Sequence, residues 1–260
     1  MKIARFSHDS RIAYGILDEG DLVVLAADPM YGGLDTTGER VPLADAVLLA
    51  PVIPRSKVIG MSRGYYLSES EKEDQEGGLD RRLEPQFFLK PNTTVVGPND
   101  RVVLPAASTD VHGEAEIAIV IGKIAKNVAV EDAESKIFGY TVANDLTAVD
   151  LLKSDDHSAR AKSFDGFCPL GPVIETEFDM EGVEVSGSVN GELVQSGDTA
   201  LLRHSAAETV AFLSRCFTLL PGDVILTGGL GRSFPVRDGD RATVTVEGIG
   251  SLSNPVIRLG

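Results

Sequence analysis

Apolar positions along this chain fall mostly into short runs separated by Gly, Pro, Asn and Asp. From Gln86 onward, the stretches FFLK, RVVLP, EIAIVIGK, VEVSGSV, ELVQ, DVILTG, RATVTVEG and PVIRL have the length and β-branched content of strands. Asn190-Gly191, between VEVSGSV and ELVQ, is a two-residue hairpin turn signal, because both positions tolerate positive φ. IAYGILDEGDLVVLAAD gives a second hairpin, turning at Asp18-Glu19-Gly20-Asp21. Helical spacing shows in two places. One is Val130 to Phe138. The other starts at Ser205, where SAAE forms a capping box with Glu208 and places Val210, Leu213 and Phe217 on one face. Strands outnumber helices and do not alternate with them, so the expected class is α+β. The pattern changes after PVIPRS, at Lys57. This divides the chain into a small N-terminal β domain, residues 1–54, and a main domain, residues 55–260. Residues 64–84, GYYLSESEKEDQEGGLDRRLE, are charged and poor in aliphatics, as either a solvated loop or a lid over a site would be.

Composition narrows the function. The 260 residues carry a net charge of −15, which repels phosphate backbones and argues against nucleic acid as a partner. No apolar run approaches the ~18 residues of a membrane span, so no membrane helix is expected. The N-terminal MKIARFSHDSR lacks the apolar centre of a secretory signal, so the expected compartment is the cytoplasm. Cys168 and Cys216 have no metal-ligand spacing and read as inert thiols.

The candidate chemistry starts at HGEAEIAIVIGK, residues 112–123. Residues i and i+2 of a strand share a face, so Glu114 and Glu116 project side by side. Two adjacent carboxylates need a proton, a basic side chain or a cation between them, and hard divalent ions take oxygen ligands. The plainer alternative is a solvated pair at a strand end. Asp145, directly after the strand-like YTVAN, offers a third oxygen ligand. Lys162, before a Pro/Gly-rich turn, offers a cation for a substrate carboxylate or an activated water. His112 shares the parity of Glu114 and reads as either support for that site or edge decoration. His8 and His204 read as surface residues.

Five ordered blocks, HGEAEIAIVIGK, GYTVANDLTAVDL, RAKSFDGFCPLGP, LLPGDVILTG and VEGIGSLSNPV, resemble the fumarylacetoacetate hydrolase superfamily. FFLKPNTTVVGP fits as well, and the likeness spans roughly residues 55–258. The first 50 or so residues resemble the extra domain of the longer bacterial members. The resemblance implies a β-rich fold of stacked mixed sheets and a homodimer. It implies Mg²⁺ or Mn²⁺ bound by Glu114, Glu116 and Asp145, with Lys162 in the active site and Lys90 as a second basic group. It further implies a small anionic 2-oxo acid or β-dicarbonyl substrate, taken through hydrolysis of a C–C bond, decarboxylation, isomerisation or hydration by way of an enolate.

The chain departs from the family's pattern around that centre. Where members carry a segment like GxNYxxHxxE, this chain has GMSRGYYLSE. Ser62 stands for Asn, Arg63 for Tyr and Tyr66 for the water-activating His, while Glu69 keeps its place. Tyrosine, with an ordinary pKa of about 10, is a poor base at neutral pH but can donate a hydrogen bond. Val149 replaces an arginine, His157-Ser158 replaces Gln-Trp, and the loop Gly229-Leu230-Gly231-Arg232 replaces Thr-Pro-x-Gly. Gly229, Arg63 and Arg232 are therefore candidate substrate contacts, the two arginines favouring an anion. His157 could replace the missing histidine and keep hydrolysis. Alternatively, water activation is lost and the site performs tautomerisation, decarboxylation, elimination or ring closure. A pseudoenzyme that only binds a ligand is the third reading.

Overall fold

The computed structural model describes residues 1–72 and 84–259. Its core is the strand Ala115–Ile121, in which all seven residues are buried. Ile117, Ile119 and Ile121 face one side and share a cluster with Val185, Val244 and Val246. Ala118 and Val120 face the other, with Val58, Leu170, Val224 and Leu226. A strand apolar on both faces must lie between two layers, which is why this run reads as continuous rather than alternating. Each fully buried isoleucine contributes roughly 1.5–3 kcal/mol of transfer free energy.

The strand lies within a twelve-stranded mixed sheet, between Ile137–Asn144 and Val224–Leu226. Val224–Leu226 runs parallel to Val58–Ser62, which pairs antiparallel with Gln86–Lys90. In the other direction Ile137–Asn144 pairs with Cys168–Glu175, which receives Lys2–His8 in antiparallel register, Ile3 opposite Ile174. The strands of the first 50 residues thus extend the same sheet. A five-stranded sheet, including Glu184–Val189, Arg241–Val246 and Gly250–Ile257, packs on one face. A three-stranded sheet of Val111–Gly113, Thr147–Ala148 and Phe234–Pro235 closes one end. The result is the expected α+β, β-rich architecture of stacked mixed sheets.

Local signals hold at both hairpins. Asn190 and Gly191 take φ of 54° and 85°, and Glu19 and Gly20 take 48° and 91°. The helix Ala206–Cys216 starts at Ser205 with both hydrogen bonds of the capping box. The helix expected over Val130 to Phe138 is shorter. Val130–Ala133 passes into a 3₁₀ turn at Glu134–Lys136, and Ile137 and Phe138 already belong to the next strand. Their β-branched and aromatic side chains suit that sheet, and Ala129 provides no side-chain cap to anchor a longer helix. A further helix, Val149–Asp155, was not foreseen. Of the proposed lid, residues 73–83 lie outside the described residues; Gly64–Tyr66 lies against Leu201–Arg203 through backbone hydrogen bonds.

Replacing Ser205 by Ala removes one half of the capping box and should lower stability by about 1 kcal/mol in urea unfolding. An unchanged midpoint would show that tertiary packing alone holds the helix start.

Candidate active site

Glu114 occupies the single-residue break between Val111–Gly113 and Ala115–Ile121, where the chain passes from the three-stranded sheet to the large one. The ladder sets Glu116 opposite Ala143 and Ala115 opposite Asn144. Asp145 therefore falls opposite Glu114, and its N–H donates to the Glu114 carbonyl at 2.9 Å. Carboxylate oxygens of Glu114, Glu116 and Asp145 all lie within 4.8 Å of one another. Glu116 and Asp145 are buried and Glu114 is half-buried.

Two ammonium groups meet this trio. The Lys162 Nζ donates to Glu114 Oε2 at 2.9 Å and also to Asp145. The buried Lys90 donates to the other Asp145 oxygen and to the Leu146 carbonyl at 3.2 Å. Lys162 also sits 4.7 Å above the Phe88 ring, a cation–π contact. That ring is in place because residue 60 is glycine; a Cβ there would lie 2.1 Å from it. Glu116 has no lysine contact of its own, and its Oε2 accepts the Gly228 N–H at 2.7 Å.

The charges are unequal, three acids against two bases. Burial, then the Asp145 and Glu114 charges, push the Glu116 carboxyl well above its ordinary value, and Lys162 and the Gly228 N–H do not offset this. Asp145 is equally buried, but Lys162 and Lys90 hold it below the ordinary range. Lys162 is held above its ordinary value despite burial, by Asp145, Glu114 and Glu116. The surroundings thus favour the ionised form of Asp145 and the protonated form of Glu116, a preference that another positive charge beside Glu116 would weaken.

Around this floor opens a cleft of about 820 Å³. Its lining includes Val149 and Leu152 of the helix Val149–Asp155, Phe88 of the strand Gln86–Lys90, and Arg63, Tyr66, Glu71 and Arg203. Gly229 closes the rim; a Cβ there would come within 3.1 Å of Glu114. Tyr66 and Thr147 line the cleft, and their hydroxyls are buried without a hydrogen-bond partner among the described residues.

Several anticipated residues lie elsewhere. Glu69 is exposed and does not line the cleft; Glu71 takes that wall, because the chain bends so that its carboxylate accepts the Leu67 N–H at 2.6 Å and an Arg203 N–H at 2.5 Å. His157 is exposed as well. The helix before it ends at Asp156 in the left-handed conformation, φ 56°, and Ser158 faces the cleft instead. Arg232 points outward from the turn at Gly231. His112 bonds Ser233 Oγ at 2.9 Å and Asp110 at 3.1 Å, and His204 is half-buried rather than on the surface. None of the four histidines lines this cleft. Arg203 and Glu71 were not singled out in the sequence; an arginine directly after the apolar Leu201-Leu202 was the available signal for the first. Of the cysteines, Cys168 is buried, which pushes its thiol up to about 12, and Cys216 is exposed.

The family model for the fumarylacetoacetate hydrolase C-terminal region matches residues 57–257. The chain belongs to the fumarylacetoacetate hydrolase family. A second model, the Rv2993c-like N-terminal region, matches residues 1–51. A 5-carboxymethyl-2-hydroxymuconate delta-isomerase from Mycobacterium smegmatis is 41% identical, superposes with a TM-score of 0.90 and is covered in full, as is this chain. The mitochondrial oxaloacetate tautomerase FAHD2A of Homo sapiens is 35% identical over 84% of this chain and 71% of its own length. A maleylpyruvate hydrolase from Sphingobium sp. SYK-6, solved with manganese(II) and pyruvate, is 28% identical with a TM-score of 0.81, both chains fully covered. This family member is accordingly an enzyme of the hydrolase, lyase and isomerase group.

Above pH 4.5, Glu116's ordinary value, an unfolded glutamate has lost the proton that the folded one retains, so the folded state binds more protons and its stability falls as pH rises. In chelator-treated protein, Glu116→Gln should therefore gain stability over the wild type by a margin that widens from that pH towards neutrality. A pH-independent margin in urea unfolding would refute this.

Proposed function

We propose that this enzyme uses Mg²⁺ or Mn²⁺ to exchange the enol and keto forms of a small 2-oxo acid, or to shift its double bond, rather than to hydrolyse a C–C bond. One observation carries the reading. The cleft holds a carboxylate trio and Lys162 on its floor, and its lining includes Tyr66, the residue that stands in the sequence where the resemblance implies a water-activating histidine. The trio suits the cation: three hard oxygen donors close together, one of them, Glu116, hydrogen-bonded to no basic side chain among the described residues. When bound there, the cation would supply Lewis acidity that polarises the substrate's oxo oxygen and stabilises the enolate form.

The chain's own groups would then divide the work. Glu114, Glu116 and Asp145 hold the cation, and Lys90 fixes the orientation of Asp145. Lys162, hydrogen-bonded to Glu114 and Asp145, steadies negative charge on the substrate oxygens. Proton transfer needs a group such as Glu69, Tyr66 or His157; Glu69 and His157 are on the surface, and the Tyr66 hydroxyl would give a proton to carbon or take it back. The isomerase and tautomerase relatives support this division. The maleylpyruvate hydrolase supports a second reading, water attack on an acylpyruvate. We also read the chain as a cytoplasmic homodimer in which residues 55–260 carry the chemistry and residues 1–54 form an accessory part. Leu193 and Val194, exposed on the Asn190-Gly191 hairpin, are a surface that a second copy would cover.

Enol–keto exchange of oxaloacetate, followed by ultraviolet absorbance with Mg²⁺, Mn²⁺ or chelator, tests the reading. Exchange should require the cation and fall about 10²-fold or more in Lys162→Met and in Tyr66→Phe. Glu116→Ala should lose cation binding by calorimetry. Acylpyruvate cleavage as fast as the exchange would favour hydrolysis, and a calorimetric titration without binding would remove the cation from the scheme.

A further inference from the structure

Gln195 is the one buried residue of the strand Glu192–Asp198, 5% exposed among neighbours that are exposed or half-buried. A bulge lies beside it. The register moves from Gly187 opposite Gln195 to Ser188 opposite Leu193, which leaves Val194 over, and such a bulge re-aims the side chains around it. The Gln195 carboxamide makes two hydrogen bonds, both to backbone. Its Oε1 accepts the Ala115 N–H at 2.8 Å, and its Nε2 donates to the Leu230 carbonyl at 2.6 Å. One partner can only donate and the other only accept, so the orientation of the amide is fixed.

Both bonds land beside the carboxylate trio. Ala115 is the residue between Glu114 and Glu116, where the chain leaves the three-stranded sheet for the large one. At that break side chains take the backbone donors: Asn144 accepts the Glu114 N–H at 3.2 Å, and Gln195 accepts the next one. Leu230 belongs to the rim of the cleft, in the stretch 228–231. Three of these four residues are glycine, and Gly228 and Gly231 take φ of 100° and 71°. A stretch so rich in glycine has little stiffness of its own. Yet it meets the trio twice, through the Gly228 N–H on Glu116 Oε2 at 2.7 Å and through the close approach of Gly229 to Glu114. Gln195 is the tie between this rim and the strand of the carboxylates. Gly197 lets the two come together, since a Cβ there would lie 2.9 Å from the Leu230 Cβ.

Resting on the cation reading above, we propose that Gln195 is a positioning residue of the cation site. Its carboxamide sets the spacing between residues 114–116 and residues 228–231, and so the placement of Glu114 and Glu116 for a divalent ion. Gln195 does not line the cleft, so it acts through these two backbone partners and not on the ion or the substrate. A methionine of similar length would fill the space but leave the Ala115 N–H and the Leu230 carbonyl without their bonds.

Calorimetric titration of the full chain with Mn²⁺, beside urea unfolding of the cation-free protein, tests the role. Gln195→Met should weaken Mn²⁺ about tenfold or more, as loss of a group that orients metal ligands does. Gly197→Ala keeps the amide but pushes Leu230 away from the strand, and should weaken Mn²⁺ several-fold. Ser196→Ala, at an exposed neighbour, should bind as the wild type does. A lower urea midpoint in Gln195→Met with unchanged Mn²⁺ affinity would mean a structural amide only and would overturn the proposal, as would wild-type affinity in Gly197→Ala. If Gln195→Met does not fold, Gly197→Ala decides alone. A wild type that binds no Mn²⁺ would overturn the cation reading and this role with it. Binding in the expected pattern without enol–keto exchange would count against the reaction and leave the role of Gln195 standing.

Discussion

Three carboxylates share a dehydrated pocket with two ammonium groups, and the remainder of the molecule is arranged around that imbalance. Asp145 takes both lysines, Glu114 takes part of one, and Glu116 is left with a backbone N–H. In water such a grouping would disperse. Here the ladder between Ala115–Ile121 and Ile137–Asn144 forbids it, since Glu114 and Asp145 are joined through their backbones. The free energy that holds the acids together comes from the apolar residues beyond them. Ile117, Ile119 and Ile121 fix one face of the strand, Ala118 and Val120 the other, and a strand so clamped cannot twist to separate its first side chains.

Much of this floor was legible. The alternation in HGEAEIAIVIGK placed Glu114 and Glu116 together, and the uninterrupted run after them announced a strand covered on both faces. Asp145 and Lys162 stood out from their places after a strand-like run and before a Pro/Gly-rich turn, the family resemblance implied both, and the structure brings them to the same point. Turns written in Asn-Gly and Glu-Gly were legible for a local reason, since their positive φ angles depend on the residues themselves.

The walls were less legible because distant contacts decide them. Glu69 and Glu71 differ by half a helical turn, and nothing in LSESEKE says which will face inward. The choice is made by Arg203, which lies 132 residues further on. His157 is turned outward by the left-handed residue before it, a conformation that Asp156 permits but does not dictate. Phe138 left the expected helix for a strand because the neighbouring sheet offered it a place, a tertiary effect that spacing alone does not encode.

Gly60 illustrates how the parts are coupled. The space above its Cα lets the Phe88 ring pack against it and present its electron-rich face to the ammonium of Lys162. A methyl group at that position would be felt as a displaced charge at the reacting end of the cleft, transmitted through a benzene ring. The floor is thus tuned from behind by van der Waals volume, while the walls stand on segments that can be rewritten without disturbing it. Such a division lets one scaffold keep its electrostatics while exchanging its clientele.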